Sequence, residues 1–436
     1  MTRYIITAPE RLDTTVKLPA SKSISNRALM IYALSRRMAR SVKGEEKSEL
    51  LPQNLSDCDD TEVIVSALRD MPDVINIKAA GTAMRFMTAY LSVKGLKHVL
   101  TGTERMKHRP IGILVDALRQ LGAKIEYVER EGFPPLRITG RTLHGGLLEI
   151  AGNVSSQYIS ALLLIGPMLE EGLTLRLKGN IISRPYIDLT LWMMREFGAD
   201  ADWTGADTIS VRPKPYRPRQ YYIENDWSAS SYWYEMVALM GDADAEVRLS
   251  GLTDGSKQGD SIVRYIFSLL GVKTLFKSKA EGVLQTVTLR KSSLRLPQIE
   301  FDFTNSPDLA QTVVVCCCLL GVPFHFSGLS TLKIKETDRI EALKTELRKL
   351  GFPIVDRSDS ELSWDGRRSE PVLSSIPGLD GRYVVIDTYE DHRMAMAFAP
   401  AALLQPIVVN NAEVVTKSYP AFWDDLRLAG FKVEEV

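Results

Sequence analysis

Small polar clusters run straight into long apolar stretches at six places along the chain: SKSISNRALMIYAL, AAGTAMRFMTAYL, GNVSSQYISALLLI, DWSASSYWYEMVAL, TNSPDLAQTVVVCCCLL and YEDHRMAMAFAPAALL. They begin near residues 21, 80, 152, 226, 304 and 389, about 60 to 85 residues apart. Each predicts a helix whose first turn is polar and whose remainder is apolar all round, the pattern of a helix buried on every side. Amphipathic segments that end in a glycine interleave with these: IGILVDALRQLG, YIDLTLWMMREFG, SIVRYIFSLLG, RIEALKTELRKLG and FWDDLRLAG. Their glycines, Gly122, Gly198, Gly271, Gly351 and Gly430, lie 73 to 80 residues apart and read as left-handed helix caps. A sixth copy, TEVIVSALRDMPDVINI, lacks the glycine and is shorter. Six units of strand, helix, strand, helix and closing strands follow, with the apolar helices inside a shell of sheet and the amphipathic ones outside.

A chain of 436 residues is too long for one compact core. The six units divide into two lobes of three: residues 14–224, with the shortened repeat second, and residues 1–13 plus 225–436. The segment VRPKPYRPRQYY precedes the second crossing and fits a surface loop as well as a linker. Composition is that of a soluble globular protein, 45% hydrophobic and 25% charged. Lys plus Arg equals Asp plus Glu at 54 each, which argues against a nucleic-acid binder. Residues 1–13 have no long apolar core, and the aliphatic run at Val313–Leu320 is too short to span a membrane. Of the four cysteines, Cys316, Cys317 and Cys318 are adjacent and fit no zinc spacing, so buried thiols in a reducing cytoplasm are expected.

With the net charge at zero, local cations carry the chemistry. Helix N-termini attract anions. Plain N-capping explains one Ser or Asn at such a start, but most of the six add more than a cap requires. Lys22 and Arg27 join the first; Gly81, Thr82 and Arg85 the second; Ser155, Ser156 and Gln157 the third; Asp308 the fifth; His392 and Arg393 the sixth. Between them lie RMKHRPIG with Arg109, SRPYID with Ser183 and Tyr186, and IKETDRIEAL. In the last, Lys335 and Arg339 are expected to share a helix face, with Glu336 three residues before Arg339; two like charges there imply an anion between them. A ligand with more than one phosphate or carboxylate is the expectation. No GxxxxGK[ST], GxGxxG or GxSxG is present, and nothing calls for a cofactor or metal.

The motifs LPASKSISNRAL, AGTAMR, RPIG, SSQY, SRPYID, SPDLA, KETDR, DHRMAM and VTKSYPAFWDDL, in this order, resemble the 5-enolpyruvylshikimate-3-phosphate synthase family. They span Lys22 to Lys417. The UDP-N-acetylglucosamine enolpyruvyl transferases share the fold but begin with a different Lys-Asn motif and use a loop cysteine, which has no counterpart here. The resemblance implies an inside-out α/β barrel of two lobes and transfer of the enolpyruvyl group of phosphoenolpyruvate to the 5-hydroxyl of shikimate-3-phosphate, on the way to chorismate and aromatic amino acids. It also implies that shikimate-3-phosphate meets Lys22, Ser23, Arg27, Ser155, Ser156, Gln157, Ser183, Tyr186, Asp308 and Lys335. Phosphoenolpyruvate would meet Lys22, Gly81, Arg109, Gln157, Arg339, Arg393 and Lys417. The catalytic set would be Lys22, Asp308, Glu336, His392 and Lys417, with Asp308 as base and Glu336 as acid. A cytoplasmic monomer that closes its lobes on the acceptor is expected. Departures from the family pattern are Ala80, Phe86, Thr331, Glu390 and the short stretch between Thr61 and Gly81; none removes a catalytic carboxylate or cation. A non-catalytic anion binder is the competing class, against which Asp308, Glu336 and Lys417 weigh.

Overall fold

The computed structural model describes residues 2–35, 52–278, 282–377 and 379–436. All six apolar helices are present, as Lys22–Ser35, Gly81–Ser92, Ser156–Ile165, Trp227–Leu239, Ala310–Leu320 and His392–Phe398. Beyond its first turn Ser156–Ile165 is buried without a break from Tyr158 to Ile165, and Ala310–Leu320 from Ala310 to Leu319. A side chain on any face of these helices therefore meets protein, which is why their sequences carry no polar stripe.

The chain divides into two compact units, Ala20–Ile223 and Met1–Pro19 with Glu224–Val436. Both boundaries differ from those expected at 13/14 and 224/225. The strand Asp13–Lys17 pairs in parallel with Glu246–Thr253, so its backbone belongs to the second of these units. Glu224 belongs there too, because its carboxylate accepts hydrogen bonds from Trp227, Thr253, Ser256 and Gln258. VRPKPYRPRQYY is no free linker: Tyr216 is buried and its hydroxyl donates to Leu164 O at 2.8 Å.

In the unit Ala20–Ile223, Val74–Asn76 runs parallel to Lys97–Thr101, followed by antiparallel Leu136–Thr139 and Lys124–Tyr127. Gly146–Ala151, Leu173–Lys178, Thr208–Val211 and Ala201–Trp203 repeat that order and those directions. The three apolar helices of this unit pack on one another and share its core.

In the other unit the same arrangement occurs in three sheets. They are Asp13–Lys17 with Glu246–Thr253, Leu284–Arg295 and Leu270–Phe276; Ile299–Asp302 with Phe324–Ser327, Glu361–Trp364 and Val355–Arg357; and Arg382–Ile386 with Ile407–Asn410, Arg3–Thr7 and Lys432–Glu435. The last gains an edge strand, Ser374–Ser375. Ala310–Leu320 packs against both Trp227–Leu239 and His392–Phe398 in the second core, and all four cysteines of the chain are buried free thiols.

The five marked glycines all have positive φ, from 83° at Gly198 to 100° at Gly122. Four stand two residues past the end of a helix; Gly271 falls one later, inside Leu270–Phe276. Where the sixth copy lacks a glycine, Met71 takes the left-handed position itself, φ 41°, and donates its N–H to Ala67 O. An L side chain there costs roughly 1–2 kcal/mol, and Met71 offsets part of that by packing against the core.

Candidate active site

Each unit places its functional side chains at the N-terminal ends of its apolar helices, where unpaired N–H groups and small residues leave room for a ligand. In the unit Ala20–Ile223 the deepest is Arg27, 3% exposed on Lys22–Ser35. Its guanidinium donates to Thr190 Oγ1 at 2.7 Å, Ser23 O at 2.9 Å, and Ser160 Oγ and Tyr186 O at 3.3 Å each. It also lies over the Phe86 ring. Every acceptor is neutral. Burial lowers its pKa to about 10, the field of Tyr186 opposing, so Arg27 stays charged at pH 7 with no carboxylate partner among the described residues. Lys22 is different: its Nζ lies 3.2 Å from Asp60 on the helix Asp59–Asp70.

Gly81 opens the second helix because of what stands over it. A methyl group on residue 81 would sit 2.7 Å from Arg109 Nη1 and 3.1 Å from its Cζ, so only a glycine lets that guanidinium lie on the helix start. Arg85 fixes the arrangement, donating to Gly81 O at 3.0 Å and Pro110 O at 3.4 Å; Tyr158 OH also donates to Pro110 O, at 2.6 Å. The chain on both sides of Arg109 is thereby held, while Arg109 Nε is buried without a hydrogen-bond partner among the described residues. A cation at the positive end of a helix dipole is unfavourable unless an anion joins it. Gln157 reaches from the third helix to Thr82 Oγ1 at 3.1 Å, and Ser155 caps that helix at Gln157 N. Ser156 is its first residue. Ser183, buried and in the left-handed conformation, turns the chain into Arg184–Glu196, whose first turn carries Tyr186.

In the unit containing Glu224–Val436, Asp308 is the hub. It stands in the 3-10 turn Pro307–Leu309, its side chain 21% exposed. Its Oδ2 accepts from Arg393 Nη2 at 2.9 Å and its Oδ1 from Lys335 Nζ at 3.4 Å and Arg339 Nη1 at 3.5 Å; its backbone O accepts from Arg393 Nη1 at 3.1 Å. Burial would raise the carboxyl pKa, but Arg393, Lys335 and Arg339 outweigh it and hold the group well below the usual carboxylate range. Glu336 bridges Arg339 Nη2 at 2.9 Å and Lys417 Nζ at 3.2 Å. Arg339, 1% exposed, also donates to both oxygens of the fully buried Asp391, at 2.7 and 3.3 Å. Asp391 in turn caps His392–Phe398 at Arg393 N. His392 is 2% exposed, with Nδ1 3.6 Å from Asp391 Oδ1.

Lys335 and Arg339 do not share a helix face. Asp338 caps the helix at Ile340 N and Glu341 N, so it begins at Arg339 and leaves Lys335 outside it. The anion expected between the two cations is the Asp308 carboxylate itself. Glu390 and Tyr389 both adopt left-handed φ, 56° and 54°, just before Asp391. Asn takes that conformation more readily than Glu does. Here the turn is held by Tyr389 OH donating to Glu346 Oε1 and by Asp387 N donating to Glu346 Oε2. Strained residues persist where their surroundings over-determine them.

Asp60, which pairs with Lys22, and Asp391, which pairs with Arg339, are not among the residues that the sequence pattern marks. Asp260 is buried and accepts a hydrogen bond from Ser228 at the fourth helix start. Asp60 and Asp391 are far in sequence from the cations they pair with, and an isolated Asp at a helix start reads as a cap.

The profile of EPSP synthase (3-phosphoshikimate 1-carboxyvinyltransferase) matches residues 6–426. The 3-phosphoshikimate 1-carboxyvinyltransferase of Bacteroides fragilis is 55% identical over 433 residues, covering 99% of each chain. That of Photobacterium profundum is 32% identical, covering 95% of this chain and 96% of the relative. A solved EPSP synthase from Acinetobacter baumannii superposes over the full length of both chains with a TM-score of 0.75 at 21% identity, a likeness of fold. With a profile that covers nearly the whole chain and a relative more than half identical end to end, the chain belongs to the EPSP synthase (3-phosphoshikimate 1-carboxyvinyltransferase) family.

Proposed function

We propose that the chain transfers the enolpyruvyl group of phosphoenolpyruvate to the 5-hydroxyl of shikimate-3-phosphate and releases phosphate, a step of the shikimate pathway. Family membership supports it, and the observation that carries it is the Asp308 cluster: a carboxylate within 3.5 Å of three cations, beside a second carboxylate bridging Arg339 and Lys417. Two anionic substrates repel one another, and fixed cations are what brings their reacting atoms together. To shikimate-3-phosphate we assign Lys22, Ser23, Arg27, Ser155, Ser156, Gln157, Ser183, Tyr186, Asp308 and Lys335. To phosphoenolpyruvate we assign Lys22, Gly81, Arg109, Gln157, Arg339, Arg393 and Lys417. The five like-ordered sheets and two sets of three apolar helices support an inside-out barrel with three βαβαββ repeats in each unit. The setting of the reaction is a cytoplasmic monomer.

In addition, the 5-hydroxyl oxygen bonds to C2 of phosphoenolpyruvate while its proton passes to Asp308, and the methylene carbon takes a proton from Glu336. In elimination the C2–phosphate oxygen bond breaks, phosphate leaves, and the new methyl group returns a proton to restore the double bond. Acid and base exchange roles between the halves. Three cations make Asp308 a weak base at rest. A bound anion that engages Arg339 and Arg393 reduces their field at Asp308, so its basicity rises only when substrate is present. His392, held against Asp391, supports the turn that presents Arg393.

A phosphate-release assay tests the reading. Phosphate should appear from phosphoenolpyruvate with shikimate-3-phosphate and not with UDP-N-acetylglucosamine; release with the nucleotide sugar alone would transfer the chain to the other enolpyruvyl transferases. Gly81→Ala should raise the KM for phosphoenolpyruvate about tenfold, since displacing Arg109 removes a charge-assisted contact worth about 1.4 kcal/mol or more. The KM for shikimate-3-phosphate should change less than twofold. Equal rises in both would mean that the methyl group disturbs the helix start as a whole.

A further inference from the structure

The turn that carries Arg393 to its place is built from residues that do not favour it. Between the strand Arg382–Ile386 and the helix His392–Phe398 the chain reverses through Thr388 to Asp391, closed by Asp391 N donating to Thr388 O at 2.8 Å. Both central residues, Tyr389 and Glu390, have positive φ, 54° and 56°. A type I′ turn requires this, and its central positions are dominated by Gly, Asn and Asp. A Tyr and a Glu there are strained, so the turn needs outside support to keep this form.

That support comes from one face of the helix Arg339–Lys349. Arg339 opens the helix, and Glu346 follows two turns later on the same side. Arg339 Nε holds the far end of the turn, donating to Asp391 Oδ2 at 2.7 Å. Glu346 holds the near end: Oε1 accepts from Tyr389 OH at 2.5 Å and Oε2 from Asp387 N at 3.1 Å. The Glu346 carboxylate is itself fixed. Lys349 Nζ lies 2.8 Å from Glu346 Oε2 and 2.8 Å from Asp387 Oδ2, and Asn410 Nδ2 donates to Asp387 Oδ1 at 2.7 Å. Glu346 is fully buried and is not among the residues assigned to either substrate.

From Asp391 the connection to the anion site is direct. Asp391 Oδ1 accepts from Arg393 N at 2.9 Å, and the Arg393 guanidinium reaches Asp308 Oδ2 at 2.9 Å and Asp308 O at 3.1 Å. We propose that Glu346 and Tyr389 are positioning residues for phosphoenolpyruvate: their hydrogen bond keeps the Thr388–Asp391 turn left-handed, and the turn sets Arg393 and Asp391 in place. The proposal rests on the enolpyruvyl-transfer reading above, in which Arg339 and Arg393 meet phosphoenolpyruvate. The pair acts on the ligand through the turn, so apparent affinity scales with the fraction of molecules in which the turn is formed.

The test is Tyr389→Phe, measured on two backgrounds. The ring stays and the bond to Glu346 goes. A turn then formed in one molecule in three to one in ten would raise the KM for phosphoenolpyruvate about three- to tenfold. The kcat and the KM for shikimate-3-phosphate should stay within about twofold, since only binding of one ligand is weakened. Loss of folded protein would do the reverse, lowering kcat per mole of chain and leaving KM unchanged. In a Glu390→Asn background the Tyr389→Phe effect should shrink to about twofold or less, because Asn takes the left-handed conformation with less support. An unchanged KM for phosphoenolpyruvate on the first background, or equal ratios on both, would overturn the proposal. Calorimetric titration of phosphoenolpyruvate in the presence of shikimate-3-phosphate keeps this apart from failure of the reaction itself. If wild type releases no phosphate, the reaction reading fails, and the same two ratios taken in Kd decide the proposal. Wild type that binds no phosphoenolpyruvate overturns both.

Discussion

Asp308→Asn should lower kcat by 10²-fold or more while the KM for phosphoenolpyruvate stays level or falls. A general base contributes roughly 10² to 10⁴ in rate, and the amide cannot accept the proton of the 5-hydroxyl. Binding should survive because the substitution removes a negative charge from beside Arg393, Lys335 and Arg339, the cations that would hold the anionic substrate. The two parameters therefore separate two roles that this geometry allows. If Asp308 served only to hold Arg393 in place, through the 2.9 Å contact to Nη2, the KM would rise and kcat would change little. Steady-state kinetics with both substrates varied, on a variant whose melting temperature is checked first, reads the difference. A rate within tenfold of wild type would remove Asp308 from the proton transfers.

The same cluster shows how far the sequence could be read. The six helix starts were legible because a small polar first turn followed by an unbroken apolar run has one comfortable home, a helix buried on all sides. The glycine caps were legible for a similar reason, and Met71 shows that the backbone turn survives without one. Lys335 was misplaced because Asp338, a stronger cap than anything before it, starts the helix four residues later than the charge pattern suggested. Arg27 was read as a charge partner for the acceptor. It is also a tie between Lys22–Ser35, Ser156–Ile165 and Arg184–Glu196, since Ser23, Ser160, Tyr186 and Thr190 all accept from it. Replacing it would therefore disturb packing, whatever it contributes to binding. What local sequence does not reveal is the second layer: Asp60 on Lys22 and Asp391 on Arg339. These pairings come from topology, which sets the helix starts of a unit side by side, and no spacing along the chain encodes them.

Glu235→Leu should stabilise the protein at pH 7.5 by roughly 1–3 kcal/mol, the cost of a buried polar group left without a hydrogen-bond partner. Glu235 lies in the middle of Trp227–Leu239, fully buried, and neither carboxylate oxygen has a hydrogen-bond partner among the described residues. Its field reaches the buried thiols of Cys316 and Cys317, which are no counter-charge. Burial pushes its carboxyl well above the ordinary value of 4.5. The folded chain therefore holds this proton to higher pH than the unfolded chain does. Below pH 4.5 both states are protonated and the group adds no pH dependence. As pH rises toward the folded value, stability falls by about 1.4 kcal/mol per unit. Replacement should thus gain least near pH 4 and progressively more toward pH 8. Two substitutions divide the effect. Glu235→Gln keeps an unsatisfied polar group in the core but cannot ionise, so it should abolish the slope and retain the cost of burying an amide. Glu235→Leu should abolish both. Urea unfolding of the three proteins at pH 5 and pH 8, compared at equal m-values, measures each contribution. A loss of stability in Glu235→Leu, or a gain that does not grow with pH, would mean that the carboxyl is satisfied and charged inside the core.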